Sequence, residues 1–121
     1  MKWQMKYLEE KKILYIKTEG EMSASSNMEM VKEAVALQST YPFTSCLVDE
    51  SEVIMPLTTM GVYAQAHVLS ELEVPRNLRI AIIHPIGYEE RYQFFETVSY
   101  NIGYIVKVFE NMSKAMEWLE S

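Results

Sequence analysis

Hydrophobic and polar residues alternate at the start of the chain in a way that predicts a β-hairpin. Trp3, Met5 and Tyr7 recur at period two, and the charged residues 9–12 interrupt them before an apolar run resumes over residues 13–16. The first two strands of a sheet are therefore expected at the amino-terminal end of the chain.

A helix is predicted next, because apolar residues take up three-and-four spacing after a cluster of residues that can cap a helix. Ser25, Ser26 or Asn27 can provide the cap. The helix should end near Tyr41, since the residue before Pro42 resists the helical region. Its inward residues are predicted to be Met28, Val31, Ala34 and Val35.

The chain is organised around a central strand, which is predicted over residues 43–49. The apolar run 46–48 is typical of a strand covered on both faces, and it stops at Asp49. An acidic turn is expected to follow, and a second helix to open at Thr58 or Thr59. The apolar flank of that helix comprises Val62, Ala66, Val68, Leu69 and Leu72.

Two more strands and two more helices complete the predicted order. The strands cover residues 78–83 and 104–109, and Glu89 and Glu90 suit the positive first turn of the helix between them. Gly103 is placed to end that helix in the left-handed conformation. The predicted inward residues are Phe95, Val98 and Ile102 in the third helix and Met112, Ala115, Met116 and Leu119 in the fourth, which Asn111 or Ser113 can cap.

This order predicts an α/β fold with a five-stranded mixed sheet. The opening hairpin supplies the antiparallel part, right-handed parallel βαβ units supply the rest, and about four helices cover the sheet. With 121 residues, of which 49% are hydrophobic and 23% charged, residues 1–121 fit a single domain with a real core.

The charge and the cysteine content of the chain exclude several classes of function and indicate its compartment. Eleven basic and seventeen acidic residues give a net charge of −6, which argues against nucleic-acid binding and against docking on anionic lipid. No apolar stretch approaches membrane-spanning length, so no membrane insertion is expected. Cys46 stands alone and allows no disulfide within the chain, and together these features predict a cytoplasmic protein.

A hydrolase is one hypothesis for the ends of the central strands. Asp49 and His84 both end predicted parallel strands, where ligands of open α/β sheets gather, and Thr58 or Ser51 could act as the nucleophile. However, the chain has no Gly-x-Ser-x-Gly elbow and no phosphate-binding glycine loop. We therefore assign no catalytic, cofactor-binding or metal-binding residue and expect a protein that is not an enzyme.

Apolar residues in the predicted strand-to-helix turn suggest a binding surface. Met55, Leu57 and Met60 cluster around Pro56, where the chain should reach the surface. An exposed apolar patch there would indicate a contact with a partner or with a second copy of the chain. The nine methionines also leave open a flexible apolar pocket for a small ligand.

Several local strings resemble the small bacterial SpoIIAA-like proteins, which share the STAS and CRAL-TRIO type of α/β fold. These strings are the turn at Gly20, CLVDESEVIMPLTT from Cys46, RIAII from Arg79, and NIGYIVKVFENMSKAMEWL from Asn101. The resemblance covers most of the chain. It implies a SpoIIAA-like fold and a regulatory role through protein contacts, with lipid binding as the CRAL-TRIO alternative.

In the anti-sigma-antagonist branch of STAS proteins, a serine at the start of the helix after the central strand is phosphorylated. Thr58 falls nearest to that position, but Leu57 stands where that motif has an acidic residue and Gly61 is displaced by one position. Helix capping is therefore the favoured role of Thr58 and Thr59, and a phosphorylation switch at Thr58 is the alternative.

Three hypotheses follow from the sequence. The first is a non-enzymatic binding or regulatory module that contacts another protein or a second copy of itself, and the second is a carrier of a small apolar or lipid-like ligand. A small hydrolase is the third. The candidate binding or switch surface comprises Asp49, Ser51, Met55, Leu57, Thr58, Thr59, Met60 and His84.

Overall fold

The computed structural model describes residues 1–121 and contains five strands and four helices. In chain order the elements are β1 (Lys2–Leu8), β2 (Ile13–Glu21), α1 (Ala24–Leu37), β3 (Ser45–Ile54), α2 (Thr59–Glu71), β4 (Arg79–Ile83), α3 (Glu89–Asn101), β5 (Ile105–Phe109) and α4 (Met112–Leu119). None of the four helices combines the length and the apolar character that crossing a membrane requires.

The strands form one mixed sheet in the order β1-β2-β3-β4-β5, as predicted. β1 and β2 are antiparallel, and every later neighbouring pair is parallel. Each parallel connection steps to the next strand in the same direction, and right-handed crossovers therefore put α1, α2 and α3 on one face. The last helix, α4, packs on the opposite face against β3, β4 and β5.

Alternating side chains of the sheet divide the core between these two faces. The larger core holds 17 buried residues and includes Cys46, Val48 and Ile82 below α1, α2 and α3. The smaller one holds six, among them Leu47 and Ala81 below α4. Most of the buried apolar surface therefore lies between the sheet and the three helices on one side.

The central strand does not end at Asp49, and the acidic turn predicted after it is wrong. β3 continues to Ile54, and its pairing with β2 shifts from Lys17 opposite Asp49 to Glu19 opposite Glu52. One extra residue in β3 makes this a β-bulge, where Thr18 Oγ1 donates a hydrogen bond to the Asp49 carbonyl at 2.9 Å. The residues expected in a solvated turn are thus strand residues.

The observed N-terminal caps of α2 and α4 are among those predicted from the sequence, whereas the cap of α1 is a different residue. The Thr58 side chain accepts a hydrogen bond from Gly61 N, and the Asn111 side chain accepts one from Lys114 N. The cap of α1 is Ser23 rather than Ser25, Ser26 or Asn27, because Ser23 and Ser26 each accept a hydrogen bond from the other's backbone N–H.

The first helix differs from its prediction, because α1 ends at Leu37 rather than near Tyr41 and buries Asn27 and Met30, while Met28 is only half-buried.

The predictions for the later elements hold with small corrections. Glu89 and Glu90 lie in the first turn of α3, and Gly103 follows that helix with a φ of +93°. β4 and β5 each begin one residue later than predicted. Met112 is not inward: it is 38% exposed, because it starts α4 and lies off the buried stripe of Ala115 and Leu119.

Candidate functional site

The predicted surface residues at the start of α2 lie at the edge of the sheet where the parallel strands end. Thr58 and Thr59 are exposed, and Met60 is 74% exposed. Two more large apolar side chains project from the same edge, Ile54 at the end of β3 and Ile86 after β4. We call Ile54, Met60 and Ile86 the rim patch.

The turn that leads into α2 is held in place by contacts with the larger core and with α3. Met55, predicted to reach the surface, is buried in the larger core, and Leu57 packs half-buried against the same core. The Met55 carbonyl accepts a hydrogen bond of 2.6 Å from the Arg91 guanidinium of α3. These contacts hold the turn in place and leave Met60 pointing outward.

Asp49 and Ser51 lie on the face of the sheet away from α1, α2 and α3. Asp49 pairs with Lys17 Nζ at 3.2 Å and accepts a hydrogen bond of 3.0 Å from the Ser51 backbone N–H. Burial by itself would raise the pKa of Asp49, but the hydrogen bonds from Ser51 and the Lys17 ammonium outweigh it and lower that pKa below its ordinary value. Asp49 is thus a paired carboxylate.

His84 lies on the other face, so the sheet separates it from Asp49. Asp49 is paired in register with Ile83, which belongs to the smaller core, while the next residue, His84, places its ring 6.1 Å from the Tyr92 ring in the larger core. His84 Nδ1 lies 3.2 Å from the Pro85 carbonyl. The Asp–His hydrogen bond that the hydrolase hypothesis requires is absent, so the fold does not bring its two proposed groups together.

A cavity of about 100 Å³ lies between the sheet and the three helices α1, α2 and α3. It has 25 lining residues, of which 20 are hydrophobic, so its wall is predominantly apolar. Three of the nine methionines border it, namely Met22, Met30 and Met55. The cavity occupies the position between sheet and helices where the carrier hypothesis placed a ligand.

Glu50 brings a carboxyl group into this apolar wall. It follows Val48 by two positions in β3, is only 4% exposed, and accepts a hydrogen bond of 2.7 Å from the Tyr92 hydroxyl. Burial raises the pKa of Glu50 to about 7, with a further rise from the negative charge of Asp49 and a partial offset from the Tyr92 hydrogen bond. Near neutral pH, Glu50 therefore exists in both the protonated and the ionised form.

A second buried polar pair joins two of the helices across the cavity wall. Asn27 Nδ2 of α1 donates a hydrogen bond of 2.8 Å to Gln65 Oε1 of α2, and both side chains are buried. Cys46 also lines the cavity, and burial raises the pKa of its thiol to about 12, which keeps it protonated and unreactive.

The sequence did not predict that four amide or carboxyl side chains would line the cavity, namely Asn27, Gln38, Glu50 and Gln65. Glu50 was placed in a solvated turn, although it continues the inward positions of Cys46 and Val48 at period two. Asn27 and Gln65 each interrupt an otherwise apolar helical stripe, which is the signal that could have identified them. No group of three or more His, Cys, Asp or Glu side chains comes together in a way that could hold a metal ion.

No protein-family model matches the sequence, and no curated protein matches it. Solved structures do match. An uncharacterised protein of the DUF3478 family with a SpoIIAA-like fold, from Shewanella loihica PV-4, has a TM-score of 0.54 at 20% identity, over 88% of this chain and 83% of that one. The anti-sigma factor antagonist SpoIIAA in its unphosphorylated form has a TM-score of 0.55 at 12% identity, over 99% of both chains. The predicted SpoIIAA-like fold is confirmed.

Proposed function

We propose that this chain is a non-enzymatic binding module that recognises another protein through the rim patch. The observation that carries the proposal is the exposure of its three large apolar side chains, 54% for Ile54, 74% for Met60 and 94% for Ile86. Ile54 is the last residue of β3, and Met60 and Ile86 follow the ends of the neighbouring strands β3 and β4. Ile54 faces away from α2, since Val53 and Met55 on either side of it belong to the larger core. Exposed apolar side chains near the ends of neighbouring strands are typical of surfaces that bind a partner.

Charges around the rim patch define the kind of partner. Glu21, Glu52, Glu89 and Glu90 are exposed at the same edge of the sheet, while the Arg91 guanidinium is engaged by the Met55 carbonyl. The chain as a whole carries a net charge of −6. The partner is therefore a protein with an apolar contact surface surrounded by lysine and arginine side chains.

The likeness to SpoIIAA supports the same class of function. That protein is named for its antagonism of an anti-sigma factor, which is an action on another protein. Since the likeness at 12% identity concerns the fold, the partner of the present chain is inferred from its own rim. Regulation by a phosphate on Thr58 belongs to this proposal, because the exposed cap position would present the added charge beside Met60.

Site-specific photo-crosslinking tests the proposal. A benzophenone amino acid placed at Met60 should yield one dominant adduct in cells, whereas the same group at Tyr100, which is 76% exposed near the end of α3, should not. Excess native protein should compete the adduct away, and a Met60→Asp variant should not. With the captured protein purified, Met60→Asp should weaken binding by about tenfold or more.

Two outcomes would redirect this interpretation. Equal crosslinking from Met60 and Tyr100 would show that the rim patch has no preferred partner, and the proposal would be abandoned. An adduct composed only of two copies of this chain would replace the partner protein by a homodimer. Once a partner is known, an unchanged affinity of Thr58→Asp would remove the phosphorylation switch.

The cavity favours a second candidate function, the transport or sensing of a small apolar ligand. An apolar cavity with a few polar groups in its wall is the usual form of a small-molecule site. Native mass spectrometry of gently purified protein should then show a retained adduct that is lost on denaturation. A mass equal to that of the bare chain, under conditions that preserve a known complex of similar affinity, would count against the carrier.

A further inference from the structure

The cavity wall keeps polar atoms that no protein group satisfies. Glu50 uses Oε1 for its hydrogen bond with Tyr92, and Asn27 and Gln65 use Nδ2 and Oε1 for each other. Glu50 Oε2, Asn27 Oδ1 and Gln65 Nε2 make no hydrogen bond within the chain, although these residues are only 4%, 8% and 6% exposed. Ser99 Oγ is the only fully buried side-chain polar atom without a partner, so these three atoms keep some accessible surface, and their residues all line the cavity. They are therefore the polar atoms that a ligand in the cavity could reach.

The charges of the wall restrict the ligand to a neutral molecule. Among the 25 lining residues Glu50 is the only one with a carboxyl group, and there is no lysine, arginine or histidine. A carboxylate or phosphate group would find no counter-charge and would be repelled by ionised Glu50. A buried ammonium ion would have Glu50 as its single charged partner, because 20 of the 25 lining residues are hydrophobic. One carboxylate does not replace the water that the ammonium ion would lose on entering the cavity.

The volume sets the size of the ligand. A cavity of about 150 Å³ holds benzene, and the present one measures about 100 Å³. By that proportion roughly four non-hydrogen atoms fill the space as it stands, and a body of roughly six is accommodated when the wall yields slightly. A long acyl chain is excluded unless the helices move apart.

The wall formed by α1 is the least buried of the cavity walls. Of the residues that α1 contributes to the cavity, only Asn27 and Met30 are buried, while Val31, Ala34 and Val35 are half-buried. The adjoining walls from β3, β4 and α2 are mostly buried side chains. The α1 side of the cavity is therefore the side nearest to solvent.

We infer that the cavity binds a compact, neutral, aliphatic molecule with one hydroxyl group, which inserts beneath α1 and hydrogen-bonds to the unpaired atoms of Glu50, Asn27 or Gln65. This inference rests on the carrier function proposed above and gives its ligand class. A hydroxyl group suits the wall because it both donates and accepts, and the wall offers acceptors at Glu50 and Asn27 and a donor at Gln65.

Methyl NMR of the native chain, labelled with ¹³C at the methionine methyl groups, tests the inference with cyclopentanol as the probe. Met22, Met30 and Met55 line the cavity and should show saturable shifts. Met60 and Met112 are exposed elsewhere and should stay unchanged, which makes them internal controls. No substitution is needed for this titration, so misfolding cannot confuse the result.

Three analogues of the probe separate the contributions of its parts. Cyclopentane has the same ring without the hydroxyl group and should bind about fivefold more weakly. Cyclopentanecarboxylate and cyclopentylamine carry a negative and a positive charge, and neither should shift the cavity methyl groups at the concentrations that saturate with cyclopentanol. In Glu50→Met, the preference for cyclopentanol over cyclopentane should shrink.

The outcomes distinguish this inference from the proposals on which it builds. Equal affinities for cyclopentanol and cyclopentane would overturn the hydroxyl requirement and leave an apolar carrier standing. Tight binding of the amine or the carboxylate would overturn the neutral ligand class. If none of the four compounds moves the cavity methyl groups, the ligand inference fails, while the carrier is decided separately by the retained adduct in native mass spectrometry and the protein-binding proposal by crosslinking at Met60.

Discussion

Glu50 shows how one residue can oppose the stability of the fold it belongs to. An isolated glutamate side chain has a pKa of 4.5, and in the folded chain burial raises the pKa of Glu50 to about 7. The Tyr92 hydroxyl provides one hydrogen bond, which does not replace the water that an ionised carboxylate would have in the unfolded chain. Ionisation of Glu50 at rising pH therefore favours the unfolded state.

The resulting pH dependence has a definite sign. Between pH 4.5 and about 7 the folded state keeps a proton on Glu50 that the unfolded state releases, so the free energy of unfolding falls as pH rises through this window. From about pH 5 to about pH 8 the loss should be about 2 kcal/mol. Urea unfolding at both pH values measures it.

Glu50→Gln removes the titrating group and should flatten this dependence. The matched control is Glu52→Gln, because Glu52 lies two residues along the same strand with its side chain 60% exposed. The control should follow the native curve. A Glu50→Gln variant with the full native pH dependence would show that another group is responsible. Asp49 does not compete in this window, since its lowered pKa acts at lower pH.

Thr58 has a structural role that can be measured apart from any partner. Its side chain accepts a hydrogen bond of 3.2 Å from Gly61 N at the start of α2. Thr58→Ala should reduce the free energy of unfolding by about 1 kcal/mol, whereas Thr58→Asp should retain the cap. Thr59→Ala, at the next exposed position, is the control and should cost less. Equal losses at the two positions would contradict a capping role.

At the scale of whole elements, glycine determines where α3 ends and β5 begins. Gly103 has a φ of +93°, and a Cβ placed there would lie 3.3 Å from Arg76 Nε. Arg76 is held in place because it stacks on the Tyr104 ring and donates a hydrogen bond to the Ile102 carbonyl. The junction therefore combines a left-handed backbone with a close side-chain contact.

A comparison with Gly87 separates these two effects. Gly87 has a similar φ of +94°, but a Cβ there would meet nothing within 4 Å. Gly87→Ala should lose about 1 kcal/mol from backbone strain alone, and Gly103→Ala should lose more because Arg76 must also shift. Thermal or urea unfolding of the two variants measures the difference. A larger loss at Gly87 would contradict the role of the Arg76 contact.

At the scale of the whole molecule, the two faces of the sheet carry separate hydrophobic cores. The larger core contains the cavity and lies beneath the three helices, while the smaller core of six buried residues is covered by α4. Packing on the α4 face should therefore affect stability without altering the cavity.

Leu119→Ala tests this separation. Leu119 is 8% exposed in the smaller core, so its truncation should cost about 3 kcal/mol in free energy of unfolding. Met112→Ala, in the same helix at 38% exposure, should cost less than about 0.5 kcal/mol. In the Leu119→Ala protein, the methyl signals of Met22, Met30 and Met55 should keep their native positions. Shifts there would show that the two faces are coupled.

The sequence by itself determined most of the secondary structure and the order of the sheet. Local signals suffice for these features: period-two alternation for β1, apolar runs for β3, β4 and β5, and capping residues such as Thr58 and Asn111 at helix starts. Each signal depends on residues close together in the chain, and a right-handed connection between parallel strands then fixes the topology.

Only the tertiary structure decided which polar residues are buried and which candidate residues lie together. Four polar residues in succession, 49–52, resemble a turn because the β-bulge leaves both Ser51 and Glu52 exposed, although Glu50, which lies between Val48 and these two residues, faces the core. The opposite placement of Asp49 and His84, and the pairing of Asn27 with Gln65, depend on strands and helices distant in sequence. Burial is set by what packs above a residue, and local pattern does not contain that information.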